Sequence, residues 1–110
     1  NQMTWGEIRR GQSGPGYELR MMTLRAGSML PMLEDLTSHR MLTVTSGSGL
    51  LKTGVVTRVL HVGDNFEVPP GEATIIYCGP EAEMQLVEVV CEVVIAKLEP
   101  QAGSRQLVNS

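Results

Sequence analysis

The segment Val62-Gly63-Asp64-Asn65-Phe66-Glu67-Val68-Pro69-Pro70-Gly71-Glu72-Ala73-Thr74 decides the fold. Gly63-Asp64-Asn65 is a turn, because glycine reaches backbone conformations closed to other residues and aspartate caps its own turn. Phe66 to Val68 is a short strand, and Pro69-Pro70-Gly71 cannot continue a ladder, so the chain must turn a corner there. A strand of so few residues between a tight turn and a proline corner belongs to an all-β domain.

Working outward, strand signals keep arriving at short intervals. Tyr17 to Arg25 is a candidate strand closed by Ala26-Gly27-Ser28. Arg40 to Ser46 is rich in Val, Thr and Leu and ends at Gly47-Ser48-Gly49, which reads as a hairpin. Leu50 to Thr53 and Val55 to Val62 follow across Gly54. Ala73 to Cys78 and Met84 to Leu98 read as a last hairpin around Gly79-Pro80-Glu81-Ala82. In that last strand Val87, Val89, Cys91, Val93 and Ile95 share one face, with Glu88 and Glu92 on the other. Val90 and Val94 interrupt the polar face, so a second sheet or subunit is expected to cover part of it. No segment carries a sustained helical period, although Leu30 to Leu36 could hold one turn. Many short strands with Gly/Pro turns mean a sandwich or barrel.

Size and composition narrow the function classes. The chain has 110 residues, enough for one domain with a modest core. Residues 1–98 are assigned to that domain and 99–110 to a polar tail expected to fray. Hydrophobic residues make up 42% and aromatics only 4%, so packing rests on Val, Leu, Ile and seven methionines. A net charge of -3 weighs against nucleic-acid binding. The longest apolar run, Val89 to Ala96, is broken by Glu92, so no membrane span is expected, and the polar N-terminus does not read as a signal peptide. Cys78 and Cys91 lack metal-motif spacing, and the hairpin register would hold them far apart. Free thiols, and with them a cytoplasmic location, are the expectation.

The order of these motifs resembles the cupin superfamily. Val62-Gly63-Asp64 through Thr74 is similar to the second cupin motif. Arg25-Ala26-Gly27-Ser28 and Val44-Thr45-Ser46-Gly47-Ser48-Gly49 resemble the two ends of the first. Trp5-Gly6 followed by Tyr17-Glu18-Leu19-Arg20 looks like the entry to the cupin domain of type II mannose-6-phosphate isomerases, which is also found in mannose-1-phosphate guanylyltransferases. The resemblance runs from about Trp5 to Val94. It implies a single-domain, RmlC-like jelly-roll β-barrel.

It also implies a divalent metal held by His or Gln, His, Glu and His, and here those residues are replaced. Leu33 stands at the first ligand position, Asp35 at the second, Arg40 at the glutamate and Thr74 at the last histidine. A guanidinium has no lone pair to give and repels a cation. No metal or other cofactor is therefore expected. His39 points away from Arg40 on the alternation of its strand and His61 precedes a turn, so they are not expected to form a site together.

Arg20 and Arg40 both face the interior if Met22 and Leu24 mark the buried side of their strand. Two readings follow. They form an anion pocket for a small acidic or sugar-type ligand, with Asp35, Thr74 and Tyr77 as the other candidate ligand-binding residues. Or Asp35 pairs with Arg40 as a structural replacement for the metal, while Arg20 is tied to Glu18 or solvent. The lead expectation is a non-catalytic, metal-free module that binds a small ligand or serves as a homodimerising accessory domain. The alternative is a metal-independent sugar or sugar-phosphate isomerase or epimerase using Arg20, Arg40 and Tyr77. Cys78 should face inward with Thr74 and Ile76 and act as packing.

Overall fold

The computed structural model describes residues 3–32 and 36–92. Among them the chain forms nine strands and no helix: β1 (Gly6–Gly14), β2 (Tyr17–Leu24), β3 (Met29–Met32), β4 (Ser38–Ser46), β5 (Gly49–Thr53), β6 (Val56–Leu60), β7 (Asn65–Val68), β8 (Thr74–Cys78) and β9 (Met84–Glu92). They make two antiparallel sheets, ordered β1-β2-β9-β4-β7 and β3-β8-β5-β6. These face each other as a flattened jelly roll around a core that includes Leu24, Leu42, Leu60, Ile76, Met84 and Leu86. Residues 93–110, including Val93, Val94, Ile95 and the expected tail, lie outside the described residues, as do Leu33, Glu34 and Asp35.

The deciding segment folds as its chemistry requires. Gly63 has φ of 94°, and the Asp64 carboxylate accepts the backbone N–H of His61 at 2.8 Å, closing the turn. Gly63 N–H then donates to Val44 O at 2.8 Å, which fastens the turn to β4. At the proline corner Glu72 N–H reaches back to Pro69 O at 3.2 Å, and β8 starts in the opposite sheet.

Several local expectations are corrected. Gly47-Ser48-Gly49 is not a hairpin, because β4 and β5 lie in different sheets. It is a corner in which Gly47 has φ of 81°, and a Cβ there would run into the backbone of Glu83 and Met84. Gly79 to Glu83 is likewise a crossing from β8 to β9 and not a hairpin turn. Cys78 therefore pairs with Gly49, while Cys91 pairs with Tyr17 and His39; both thiols are free, although the expected register was wrong. The segment expected to hold a helical turn begins as strand β3, and the polar N-terminal segment supplies β1.

The largest correction concerns β9. Met84, Leu86 and Glu88 are its buried residues, so the face carrying Glu88 is the inner one. Val87, Val89 and Cys91 point outward, beside Leu19, Met21 and Met41 on the flanking strands. Both faces of this strand are apolar enough to pass for core, and alternation alone cannot choose between them.

Candidate functional site

Cross-strand register builds the site. Arg20 on β2, Glu88 on β9 and Leu42 on β4 stand directly opposite one another, and Glu18, Val90 and Arg40 form the adjacent row. Directly paired residues in a sheet share a face. Burial of Met22, Leu24, Leu42 and Val44 fixes that face as the interior. Two arginines and two glutamates thus sit just beyond the apolar core, at one end of the space between the sheets.

Their geometry is asymmetric. Arg20 Nη2 donates to Glu18 Oε1 at 3.2 Å, and Arg10 Nε lies 3.2 Å from Glu18 Oε2. The hydrogen bond from Arg20 holds the Glu18 carboxyl below the usual carboxylate range. Glu88 is more loosely attended. Its oxygens lie 3.6 Å from Arg20 Nη1 and 3.9 Å from Arg40 Nη1, ion pairs rather than short hydrogen bonds. The Glu88 side chain is 1% exposed, against 24% for Arg20 and 20% for Arg40. Burial pushes its carboxyl above the ordinary value, and the charges of Arg40 and Arg20 only partly oppose this. Both Glu88 Oε2 and Arg20 Nε are buried without a hydrogen-bond partner, and orphan polar atoms of this kind are costly.

Arg20, Arg40 and Glu88 line a recess of about 210 Å³. Its other walls are Trp5, Ile8, Met22, Leu30, Pro31 and Met32. Trp5 is anchored there because its carbonyl accepts Arg25 N–H at 2.7 Å and the Ser28 hydroxyl at 3.0 Å. A half-open, largely apolar recess with two cations and one buried carboxylate suits a small molecule carrying both an acidic group and hydroxyls.

Among the described candidate ligand-binding residues, Arg20 and Arg40 meet in this recess, and Thr74 and Tyr77 do not line it. Asp35 lies outside the described residues. Thr74 is buried on β8, its hydroxyl 3.4 Å from that of Thr53, and it lines a neighbouring groove with Lys52 and Gly54, on the other side of Pro31 and Met32 from the recess walls that carry the arginines. Tyr77 alternates to the other side of β8 from buried Thr74, Ile76 and Cys78, so it does not reach the arginines. His39 lies on the outer face, 3.2 Å from Glu67, and His61 is exposed. Cys78 is buried, donates to Ala82 O at 3.2 Å, and burial raises its pKa, consistent with packing.

Glu88 is the residue that sequence reasoning missed. The signal was present: Leu86 and Val90 flank it at i±2, and two inward guanidiniums require an anion nearby. Its assignment to the outer face followed from the longer apolar series Val87, Val89 and Cys91.

The metal positions can be compared with what stands there. Arg40 is committed to Glu88 across the recess, and Thr74 offers one hydroxyl paired with another. Among the described residues no three His, Cys, Asp or Glu side chains converge. Arg40 and Thr74, the two of those positions among the described residues, do not supply the nitrogen and carboxylate donors that a divalent ion needs, and Leu33 and Asp35 lie outside the described residues.

No protein-family model and no curated protein sequence matches the chain. Solved structures do. A cupin-2 domain from Rhodospirillum rubrum superposes with a TM-score of 0.68 at 17% identity, over 76% of this chain and 57% of that one. A mannose-6-phosphate isomerase candidate from Ralstonia eutropha JMP134 gives 0.68 at 15% identity, over 79% of this chain and 84% of its own. The cupin domain of Schizosaccharomyces pombe Cnp3 gives 0.73 at 12% identity, over 93% of this chain and 72% of its own. At these identities the likeness establishes the fold, and function must come from the site. No helix among the described residues is long and apolar enough to cross a membrane.

Proposed function

This chain has the cupin fold, and on that footing we propose that it is a metal-independent binding module for a small anionic, hydroxyl-bearing ligand of sugar-acid or sugar-phosphate type. One observation carries the reading: Arg20 and Arg40 converge on Glu88 at the wall of an apolar recess, where Arg20 Nε and Glu88 Oε2 lack partners. A ligand oxyanion suits the guanidiniums, which bind carboxylate and phosphate well. Arg40 and Thr74 at two of the expected ligand positions support the absence of a metal. The sugar component draws on the Ralstonia eutropha isomerase candidate among the structural neighbours. An isomerase or epimerase reading is less well supported, since Tyr77, its proton donor, faces away from the arginines.

Thermal unfolding against divalent metals, mannose 6-phosphate and glucuronate tests this. A ligand selective for the folded state raises the midpoint with concentration, by about 2.7 kcal/mol of stability at a hundred times its Kd. Mannose 6-phosphate or glucuronate should stabilise the wild type, and Arg40→Ala should abolish the effect. Stabilisation by metal alone would overturn the proposal.

The accessory role as a homodimer is supported by the outer face of the larger sheet. Exposed Met21 and Met41 there flank the partly exposed Val87 and Val89, and an apolar face of this kind marks a contact surface. This moves the face from Val90, which points inward beside Arg40. Sedimentation at micromolar concentration should give a dimer for the wild type and a monomer for Val89→Arg. A monomeric wild type would remove the dimer from the account.

A further inference from the structure

The two arginines at the recess are held by a carboxylate that is itself badly placed. Glu88 is 1% exposed, its two ion pairs are long, and one of its oxygens has no hydrogen bond. An incoming ligand oxyanion would seek the same guanidiniums. Two carboxylates sharing one pair of half-buried cations, one of them on the buried Glu88, cannot both keep their charge cheaply, because like charges in a poorly solvated site raise each other's proton affinity.

We infer that the recess takes its anionic ligand together with a proton, which comes from solvent and settles on a Glu88 carboxylate oxygen as the ligand's oxyanion replaces it against Arg20 and Arg40. The inference rests on the binding function proposed above and adds its regulation: affinity rises as pH falls. The only bond formed is the carboxyl O–H. A monoanionic ligand and one proton leave the net charge of the site unchanged.

The surroundings single out Glu88. From β2 it is faced by Arg20 and Glu18, and from β4 by Arg40, with Leu42 beside it. From β1 Arg10 acts on Glu18 alone, while Trp5, Leu30 and Met32 bring no charge. Glu18 keeps its charge because Arg20 donates to it. Glu88 combines deep burial with loose pairing, and its carboxyl is already displaced toward the protonated form. His39 is on the opposite face of the sheet and pairs with Glu67.

Glucuronate is the suitable probe, because its carboxylate stays ionised throughout the neutral range whereas a phosphate ester titrates there. Calorimetric titrations from pH 6.5 to 8.5, in buffers of different ionisation heat, should show uptake approaching about one proton per glucuronate bound. The affinity should fall as pH rises, with a slope equal to the measured proton uptake and therefore at most about tenfold per pH unit. Glu88→Gln, whose amide carries no charge and takes up no proton, should bind glucuronate with a flat pH profile. Carboxyl NMR of the wild type gives a second measurement that does not depend on the variant folding: the Glu88 titration midpoint should rise when glucuronate saturates the site.

Wild-type binding that is flat with pH, with no proton uptake and an unmoved Glu88 midpoint, would overturn this inference and leave the binding function standing. Persistence of the pH dependence in Glu88→Gln would assign the proton elsewhere and overturn it too. Failure of glucuronate and mannose 6-phosphate to bind wild type and variant at every pH would overturn both the inference and the function.

Discussion

Leu42→Ala is expected to cost about 2–5 kcal/mol of stability, the range for emptying a buried leucine site. Leu42 is 1% exposed and sits directly opposite Glu88 on the β4–β9 ladder. Small domains have only about 5–15 kcal/mol in total, so this one substitution brings the chain close to the edge of folding. Its second effect is chemical. Leu42 helps to keep water from the carboxyl, and burial is the main cause of Glu88's raised pKa. The cavity should admit solvent and let that pKa fall back toward the ordinary carboxylate range. Urea unfolding gives the first effect, and carboxyl NMR titration gives the second. A cost below about 1 kcal/mol, with the Glu88 midpoint unmoved, would mean that the inner face of β9 has been wrongly identified.

The other large effect is expected at Arg20. Arg20→Ala removes the hydrogen bond to Glu18 and the nearer of the two cations at Glu88. Truncating one partner of a desolvated charge pair costs about 2–5 kcal/mol, much of it from the charge left behind. Loss of the charge-assisted contact from Arg20 to the ligand should also weaken glucuronate binding by about tenfold or more. The sign of the pH effect on folding follows from Glu88. Its carboxyl binds its proton more tightly folded than unfolded, so stability falls as pH rises from the unfolded value toward the folded one, and does not recover above it. Losing Arg20 raises the folded value further and should steepen that fall. In a Glu88→Gln background the same Arg20→Ala should cost markedly less, because no buried carboxylate remains to be abandoned. Equal costs in the two backgrounds, read by chemical denaturation at neutral pH, would show that the 3.6 Å pair is not a functioning contact.

Much of the fold could be read from turn chemistry. Gly63-Asp64, Pro69-Pro70-Gly71 and Gly47 each bend the chain where the structure bends it, and the motif order led to the cupin fold. What could not be read was which sheet the chain enters after a bend. A glycine corner and a hairpin use the same residues, so β4–β5 and β8–β9 were mistaken for hairpins when each crosses between sheets. β1 was missed because its sequence, Gly-Glu-Ile-Arg-Arg-Gly-Gln-Ser-Gly, is largely polar; it is an edge strand with most residues toward solvent.

The site was half legible for a related reason. Arg20 and Arg40 followed from the alternation of Met22, Leu24, Leu42 and Val44, which share a face with them on β2 and β4. Glu88 did not follow, because β9 runs down the middle of its sheet and is apolar on both sides. Thr74 was grouped with the arginines by its place in the second motif, and Tyr77 as a candidate proton donor. Strand alternation already places Thr74 and Tyr77 on opposite faces of β8, and the structure adds that neither lines the recess.

Metal-independent ligand binding at Arg20 and Arg40 is read most directly from the side-chain Nε–Hε NMR spectrum of the arginines with and without glucuronate or mannose 6-phosphate, in the presence of a chelator. Arg20 Nε is buried and lacks an acceptor, so a ligand seated in the recess must give it one. The account predicts that the Arg20 Hε resonance shifts downfield and becomes protected from exchange as ligand saturates, with Arg40 also perturbed and no metal required. Ligand binding that leaves Arg20 and Arg40 unmoved, or that appears only when a divalent metal is restored, would contradict it.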